Sequence, residues 1–262
     1  MPTSALQVAR TGLEAQDARM RVIANNLANV GTTGFKRDRA NFATLAYQDM
    51  RTAGQQSSGE TAYATGLNLG TGVAVQSTSQ IMTQGSLETT GNAYDVALDG
   101  DGYFQVAMPG GQTGYTRAGN FSLSPEGQIV TQQGYALQPA ITVPAGTTTV
   151  AVAPDGTVSA TVAGEAEPTT VGQIQVARFA NPAGLQALGD NFLAETAASG
   201  AAELGGGGEA GRGNIRQGML EASNVNIVEE LVDMIECQRA YEISSKMIAA
   251  VDDMLRNANQ TL

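Results

Sequence analysis

The feature that most constrains this fold is a seven-residue repeat of apolar side chains near each end of the chain. A period of seven is typical of α-helices that pack side by side as coiled coils, because it keeps the apolar positions on one face. The sequence therefore predicts one long helix at each terminus. The repeat positions are Leu6, Leu13, Met20 and Leu27 at one end and Leu220, Ile227, Met234, Tyr241, Ile248 and Leu255 at the other.

Local signals indicate where these helices begin and end. Ser4 followed by Gln7 fits a capping box at the start of the first helix, and Gly31 suits the left-handed position beyond its end. Asn226 followed by Glu229 fits the start of the second helix. A second series of positions, apolar except at Gln16, widens the stripe of the first helix and consists of Ala9, Gln16, Ile23 and Val30.

One chain does not supply enough partners to cover both apolar stripes. Residues 1–51 carry a net charge of +3 and residues 220–262 carry −5, which favours packing of the two ends within or between chains. We predict that neighbouring copies cover the stripes, with about 1.5 to 3 kcal/mol for each newly buried Leu, Ile or Met. The predicted subunit-interface residues are Leu6, Leu13, Met20, Ile23, Leu27, Val30, Ile227, Leu231, Met234, Tyr241, Ile248 and Leu255.

Between the helices the apolar residues alternate with a period of two, which is typical of β-strands. This alternation is present at residues 94–98, 150–152 and 173–177. Pro- and Gly-containing sequences of the kind that form tight turns separate these segments. The turns are predicted at residues 109–111, 125–127 and 154–156.

Together these patterns predict an α+β fold. A discontinuous, coiled-coil-like helical domain is built from both termini, and an all-β domain is inserted between its two halves. The predicted boundaries are residues 1–50 for the N-terminal half of the helical domain, 51–70 for an extended segment of low order, 71–205 for the β domain, 206–219 for a Gly-rich connector that is flexible at Gly205–Gly208, and 220–262 for the C-terminal half of the helical domain.

The composition argues against an enzyme and against nucleic-acid binding. The chain has no His, the commonest general base and metal ligand, and its single cysteine, Cys237, can form no intramolecular disulfide. Its formal net charge is −11, whereas phosphate binding needs clustered Lys and Arg. Asp99–Gly102 resembles part of a calcium loop but lacks the bidentate Glu, so a hairpin turn is predicted there. We expect no catalytic residue, cofactor, metal, nucleic acid or small-molecule substrate.

Four stretches of the chain carry recognisable motifs in a fixed order. The terminal ones are VIANNLANVGTTGFKRDRANFATLAYQ at residues 22–48 and SNVNIVEELVDMIECQRAYEISSKMIAAVDDML at residues 223–255. The central ones occupy residues 83–106 and 115–137. All four resemble the flagellar rod and hook family. The motif residues are Asn25, Asn26, Asn29, Thr33, Gly34, Phe35, Lys36, Gln238, Arg239, Ala240 and Tyr241, and the three Asn residues are interpreted as interhelical hydrogen-bonding groups that determine register.

The resemblance implies a structural subunit of the bacterial flagellar rod, most similar to the distal-rod branch of the family. Such a subunit polymerises through its terminal helices into a rigid hollow shaft that transmits torque to the hook. The implied location is the periplasm-spanning rod of the basal body, reached by export without a cleaved signal peptide. The implied partners are further copies of the chain, proximal rod proteins, hook protein, P- and L-ring proteins, the rod cap and the flagellar type III export machinery.

Residues 51–66 show no helical or strand period, and the resemblance places them where rod and hook proteins differ. We expect this rod-specific segment to become ordered between neighbouring subunits, through contacts of Gln55, Gln56, Ser57, Ser58 and Tyr63.

Three alternatives stay open at this point: a proximal rod or hook-family paralogue, a secreted β-rich fibre or adhesin, and a carboxylate-using hydrolase. An adhesin has no need of helical stripes at both termini. A hydrolase needs a catalytic constellation that scattered Asp and Glu residues do not supply.

Overall fold

The computed structural model describes residues 2–56, 63–164 and 167–260. The chain divides into two compact units. The first, here called the helical unit, consists of Met1–Leu27, Asp38–Ser79 and Asn226–Leu262. The second, here called the β unit, consists of Ala28–Arg37 and Gln80–Val225.

Both predicted terminal helices are present, as α1 (Pro2–Ala28) and α2 (Ile227–Gln260). The predicted cap of α2 is confirmed, because the Val228 backbone N–H donates to the Asn226 side-chain oxygen at 3.0 Å. The predicted boundaries of α1 are wrong. The helix begins at Pro2, before Ser4, and the left-handed glycine beyond its end is Gly34, with φ of 69°, rather than Gly31. Over the described residues, neither helix combines the length and apolarity needed to cross a membrane.

The two helices contact each other in antiparallel fashion within the helical unit. The Cys237 thiol donates to the Gln16 backbone carbonyl at 3.1 Å, and Arg19 pairs with Asp233 at 3.0 Å. Gln16, the polar break in the first stripe, therefore lies opposite the single cysteine, and its side-chain oxygen accepts from the same thiol at 3.3 Å. The helix residues buried in this unit are Ala9, Ala15, Ile23, Asn26, Glu230 and Cys237.

A two-stranded ribbon completes the helical unit. Its first part pairs β1 with β4 and its second part pairs β2 with β3, and a backbone bond from Leu45 N–H to the Gly72 carbonyl joins the two parts. The ribbon approaches α1 closely, since a Cβ on Gly72 would lie 2.1 Å from the Thr11 hydroxyl oxygen. The strands are β1 (Asp38–Thr44), β2 (Tyr47–Arg51), β3 (Leu67–Gly70) and β4 (Val73–Gln80).

The β unit contains fifteen strands, and each strand pairing within its sheets is antiparallel. They are β5 (Leu87–Thr89), β6 (Val96–Asp99), β7 (Tyr103–Ala107), β8 (Thr113–Thr116), β9 (Ser122–Leu123), β10 (Ile129–Val130), β11 (Thr147–Val152), β12 (Thr157–Val162), β13 (Thr169–Gln173), β14 (Val176–Arg178), β15 (Gln186–Gly189), β16 (Phe192–Ala194), β17 (Glu203–Gly205), β18 (Asn214–Gln217) and β19 (Met219–Glu221).

A six-stranded sheet in the order β15-β16-β8-β7-β14-β17 is the largest element of the β unit. The other strands of this unit form a three-stranded sheet, β11-β12-β13, and the pairs β9–β10, β6–β18 and β5–β19. The main apolar core is formed by buried residues of these strands and of the segments between them, and a smaller aromatic cluster includes Tyr103, Tyr115 and Phe179. In that cluster the rings meet edge to face, with Tyr115 and Phe179 centroids 4.8 Å apart.

The three predicted turns are confirmed. Residues 109–111 join β7 to β8, residues 125–127 join β9 to β10, and residues 154–156 join β11 to β12, each pair being an antiparallel hairpin. The hairpin predicted at Asp99–Gly102 is wrong, because β6 and β7, which flank it, belong to different sheets. The strand predicted at residues 173–177 is interrupted, since β13 ends at Gln173 and β14 begins at Val176.

The prediction of a flexible Gly-rich connector at residues 206–219 is wrong. This stretch contains β18, which pairs with β6, and the Gly207 N–H donates to the Asp155 carbonyl at 3.0 Å. Glycine is needed here for close backbone approach, because a Cβ on Gly207 would lie 2.5 Å from the Pro154 carbonyl oxygen. The β unit therefore extends beyond residue 205, and Leu220, predicted to begin the second helical stripe, lies in β19.

Candidate assembly surfaces and junction cluster

The most exposed apolar surface of the helical unit is one face of α2. Its residues follow one another at spacings of three, four, seven or eight, which places them on the same side of the helix. That side is opposite the one that carries the buried Glu230 and Cys237. The residues of this exposed face, between 49% and 68% exposed, are Val228, Val232, Ile235, Ile243, Met247 and Met254.

The sequence-predicted interface residues fall into distinct environments. Ile23 is buried within the chain itself, so the prediction that it contacts a neighbour is not supported, and Val30 lies in the turn after α1 rather than on the helical stripe. The Leu255 side chain lies outside the described residues. Three residues are exposed, namely Ile227, Leu231 and Tyr241, and six are half-buried, namely Leu6, Leu13, Met20, Leu27, Met234 and Ile248.

The ribbon of the helical unit presents a second exposed apolar surface. The Arg51 guanidinium lies 3.8 Å from the centre of the Tyr63 ring, and Tyr63 exchanges backbone bonds of 2.9 Å with Gly54 and Gln55. The expectation that Gln55 and Tyr63 acquire order only on assembly is therefore wrong, because both already pair across the hairpin. Gln56 forms a single β-bridge, and Ser57 and Ser58 lie outside the described residues. The exposed apolar residues of the ribbon are Phe42, Tyr47, Met50, Tyr63, Leu67, Leu69 and Val75.

Three buried charged residues meet in the β unit, and we call them the junction cluster: Lys36, Arg117 and Glu221. Glu221 is 1% exposed, and its two carboxylate oxygens bind different cations. One oxygen accepts from the Lys36 ammonium, and the other accepts from Arg117 at 3.2 Å. A single carboxylate therefore neutralises one of two buried positive charges that lie close to it.

Backbone groups make further hydrogen bonds with the junction cluster, although the buried Arg117 Nε has no hydrogen-bond partner among the described residues. Lys36 donates to the Thr83 carbonyl at 2.9 Å, and Arg117 donates to the Gly100 carbonyl at 2.7 Å. The Gly85 N–H donates to Glu221 at 2.9 Å, and glycine is required there because a Cβ would lie 2.0 Å from the Ala222 carbonyl oxygen. These groups come from loops that are distant in sequence, so the cluster ties several loops together.

Burial dominates the electrostatics around the junction cluster. It lowers the pKa of Lys36 below its usual value, while the hydrogen bond to Glu221 opposes that shift. The Tyr103 ring, 5.6 Å from the Arg117 guanidinium carbon, is buried against the cluster, and burial raises the pKa of its phenol to about 12. Lys36 and Tyr103 are therefore both biased towards their neutral forms by loss of water.

The raised pKa of Tyr103 predicts a loss of stability at high pH. The phenol ionises near its ordinary pKa of 10.0 when unfolded but near 12 when folded, so its contribution is present below pH 10 and is lost as the pH rises to about 12. The expected loss is about 2 to 3 kcal/mol. Urea unfolding at pH 9 to 12 checks this, with Tyr103→Phe as the control that should flatten the Tyr103 part of the slope. Equal slopes for both proteins contradict the prediction.

The Asn residues of the N-terminal motif do not share one role. Asn26 is buried, exchanges hydrogen bonds of 2.9 Å with the Asp38 backbone, and donates to Glu230 on α2 at 3.3 Å. Asn25 lies 3.5 Å from the Asp38 carboxylate, and Asn29 accepts from the Thr32 hydroxyl at 3.1 Å. Asn26 thus makes the predicted hydrogen bond between the two helices.

The remaining motif residues lie at two places. Phe35 and Gly34 are buried beside Lys36 in the segment that follows α1, and the Thr33 carbonyl accepts from Asn191 at 2.8 Å. On α2, Gln238 and Arg239 are exposed with Tyr241, and Ala240 is half-buried. Arg117 and Glu221 were missed by the sequence analysis, because an isolated charge in a strand or loop has no local pattern that indicates burial.

Three family models match successive parts of the chain. The model described as Flagella basal body rod protein matches residues 6–36, which contain most of α1 and Lys36. The Flagellar hook protein FlgE/F/G D1 domain matches residues 97–160 of the β unit. The Flagellar basal body rod FlgEFG protein C-terminal matches residues 216–261, including Glu221 and α2.

Whole-chain relatives decide the family. A flagellar basal-body rod protein FlgG from Buchnera aphidicola is 48% identical over 255 residues, covering 97% of this chain and 98% of that protein. The FlgG protein of Caulobacter vibrioides is 47% identical over 257 residues, with 98% of each chain covered. This chain belongs to the flagellar basal-body rod protein family. The predicted resemblance to the rod and hook family is confirmed.

Members of the rod family differ in their similarity to this chain. The FlgF rod protein of Caulobacter vibrioides is 33% identical over 92% of the chain, compared with 47% for FlgG of the same organism. The chain is thus more similar to FlgG, which fits the prediction of the distal-rod branch. As a rod-family member it is a structural subunit of the flagellar rod and is located in the flagellar basal body.

Proposed function

We propose that this chain is the distal rod subunit and that it polymerises through α1 and α2 into a rigid hollow shaft that transmits torque to the hook. The observation that carries the proposal is the exposed face of α2. A helix that is apolar on opposite sides is typically buried on both of them. Within one chain α1 lies against one side, and a second copy of the chain is the occupant proposed for the other.

Charge and energy both favour a second copy as the occupant. Residues 1–51 carry a net charge of +3 and residues 220–262 carry −5, so the two ends of different copies attract each other. Each half-exposed apolar residue gains about 1 kcal/mol on full burial, which is roughly half the value for a fully exposed side chain. The six residues of the exposed face therefore contribute enough to offset part of the cost of association.

The proposed partners follow from membership of the rod family. They are proximal rod proteins at one end of the shaft and hook protein at the other, P- and L-ring proteins around it, and the rod cap and the flagellar type III export machinery during assembly. The proposed site is the periplasm-spanning part of the rod, and the proposed route is export without a cleaved signal peptide. Membership of the family supports these partners, and the large exposed surface of α2 supports an assembled state.

Electron microscopy of the concentrated, purified chain tests the proposal. Straight tubes with a central channel are the expected result, with polymer mass rising steeply above a critical concentration. The same chain lacking α2 serves as the control and should form no tubes. A wild-type chain that remains monomeric at millimolar concentration, or that forms only amorphous aggregates, contradicts polymerisation through the helices.

The ribbon of the helical unit leads to a separate prediction about stiffness. An isolated two-stranded hairpin is marginally stable in water, so the exposed Tyr47, Leu67 and Leu69 are proposed to pack against a neighbouring subunit. Replacing residues 55–65 by a Gly/Ser segment of equal length should leave polymers that assemble but bend more readily. Persistence length measured from micrographs is expected to fall at least about twofold, because contacts at the end of the ribbon are lost.

A control for this prediction keeps the hairpin and alters an exposed apolar residue elsewhere in the chain. Leu123→Ser changes an exposed apolar residue of the β unit and should leave the persistence length unchanged. Polymers of the Gly/Ser variant that are as straight as wild type indicate that residues 55–65 act only as a connection between β2 and β3.

A further inference from the structure

The junction cluster joins the two parts of the chain that lead to the terminal helices. Lys36 lies eight residues after the end of α1 at Ala28, and Glu221 lies six residues before the start of α2 at Ile227. Arg117, from the centre of the chain, binds the same carboxylate. The three residues are separated in sequence by 81 to 185 positions, so only the folded β unit brings them together.

Backbone bonds beside the cluster pair the same two segments directly. The Gly34 N–H donates to the Glu221 carbonyl at 2.7 Å, and the Arg37 N–H donates to the Asn224 side chain at 2.7 Å. Only glycine fits at position 34. Its φ is +69°, and a Cβ added there would lie 2.7 Å from the backbone carbonyl carbon of Arg117. The segments around residues 34–37 and 221–224 therefore leave the β unit side by side.

We propose that Lys36, Arg117 and Glu221 are positioning residues for assembly. They hold the segments leading to α1 and α2 together where those segments leave the β unit, so that the β units take up one ordered arrangement along the polymer. This inference rests on the proposed polymerisation through the helices. It assigns a role in assembly to Lys36 of the N-terminal motif, although Lys36 lies outside both helices and is buried.

The charge arrangement explains why the cluster holds the segments firmly. Each oxygen of Glu221 binds a different cation, which restricts the direction as well as the distance of the contacts. Without the carboxylate, Lys36 would either lose its proton or face the Arg117 charge without a counter-ion, and either change would weaken the contacts that hold the segment around Lys36 to the rest of the β unit. An exposed pair such as Arg216–Asp99, whose side chains are 54% and 40% accessible, has no such effect because water screens it.

Glu221→Gln in the full-length chain tests the proposal. The melting temperature of the monomer should fall by about 10 °C, as expected when two buried cations lose their shared carboxylate. Polymers should still form, but averaged cryo-electron microscopy images should retain the helical core and lose most of the density of the β units. Asp99→Asn, which breaks the exposed pair, is the matched control and should leave the density unchanged.

Lys36→Met provides a second variant if Glu221→Gln prevents folding of the β unit. It leaves Glu221 paired with Arg117, so the β unit should fold while the segment around Lys36 loses two side-chain contacts. Trypsin should then cleave the monomer after Arg37 at least about tenfold faster than wild type, a rate increase expected for a weakened local contact, and β-unit density in polymers should weaken. Wild-type cleavage and sharp β-unit density in Lys36→Met polymers overturn the proposal. Absence of wild-type polymers instead contradicts the proposed function.

Discussion

Ile235→Asp is expected to abolish polymerisation while leaving the monomer folded. Ile235 lies in the exposed face of α2 and is 49% exposed, so an aspartate there remains hydrated in the free chain. On assembly the carboxylate would enter an apolar contact between subunits without a partner. An unpaired charge in such a contact costs several kcal/mol, and about 3 kcal/mol corresponds to a rise of more than 100-fold in critical concentration.

Sedimentation across a concentration series measures this effect. Ile235→Leu is the matched control, because it preserves apolar area and should assemble close to the wild-type concentration. Ile227→Asp and Tyr241→Asp, at exposed positions of the sequence-predicted stripe, are expected to act in the same direction. Circular dichroism of each monomer should match wild type. A normal critical concentration for Ile235→Asp excludes the exposed face of α2 from the subunit contact, and normal values for the other two Asp variants exclude the sequence-predicted stripe.

Gly119→Ala is expected to have the largest effect on stability. A Cβ at Gly119 would lie 1.6 Å from the Val96 carbonyl oxygen and 2.7 Å from the Val96 carbonyl carbon, so two backbone segments must separate. Val96 N–H also donates to the Gly119 carbonyl at 2.9 Å, and separation would stretch that bond. The expected cost is about 4 kcal/mol or more, in the range found when a buried contact is disrupted.

Urea unfolding of the full-length chain, followed through the Tyr signals of the β unit, measures the change. Gly31→Ala is the control, because a Cβ at Gly31 meets nothing within 4 Å and its φ is not positive. That variant should change stability by no more than about 0.5 kcal/mol. A Gly119→Ala chain that unfolds at the wild-type urea concentration indicates that β6 and the loop at Gly119 can move apart without cost.

Local pattern was sufficient to predict the elements whose stability depends on neighbours in sequence. The seven-residue repeats predicted both terminal helices, and Asn226 marked the start of α2 because a cap involves residues only a few positions apart. The three Pro- and Gly-containing turns predicted three hairpins for the same reason. The motif at residues 33–36 indicated the family without indicating what Lys36 does.

Contacts between distant residues were decided by the tertiary structure alone. The apolar pattern of α2 does not distinguish the side that lies against α1 from the exposed side, since that depends on where Gln16 meets Cys237. The glycines at residues 205–208 have the composition of a flexible connector, yet they belong to the β unit, where Gly207 allows the backbone to approach the Pro154 carbonyl closely. The burial of Glu221 depends on two cations that are 185 and 104 residues away in sequence, because electrostatic pairing follows distance in space rather than position along the chain.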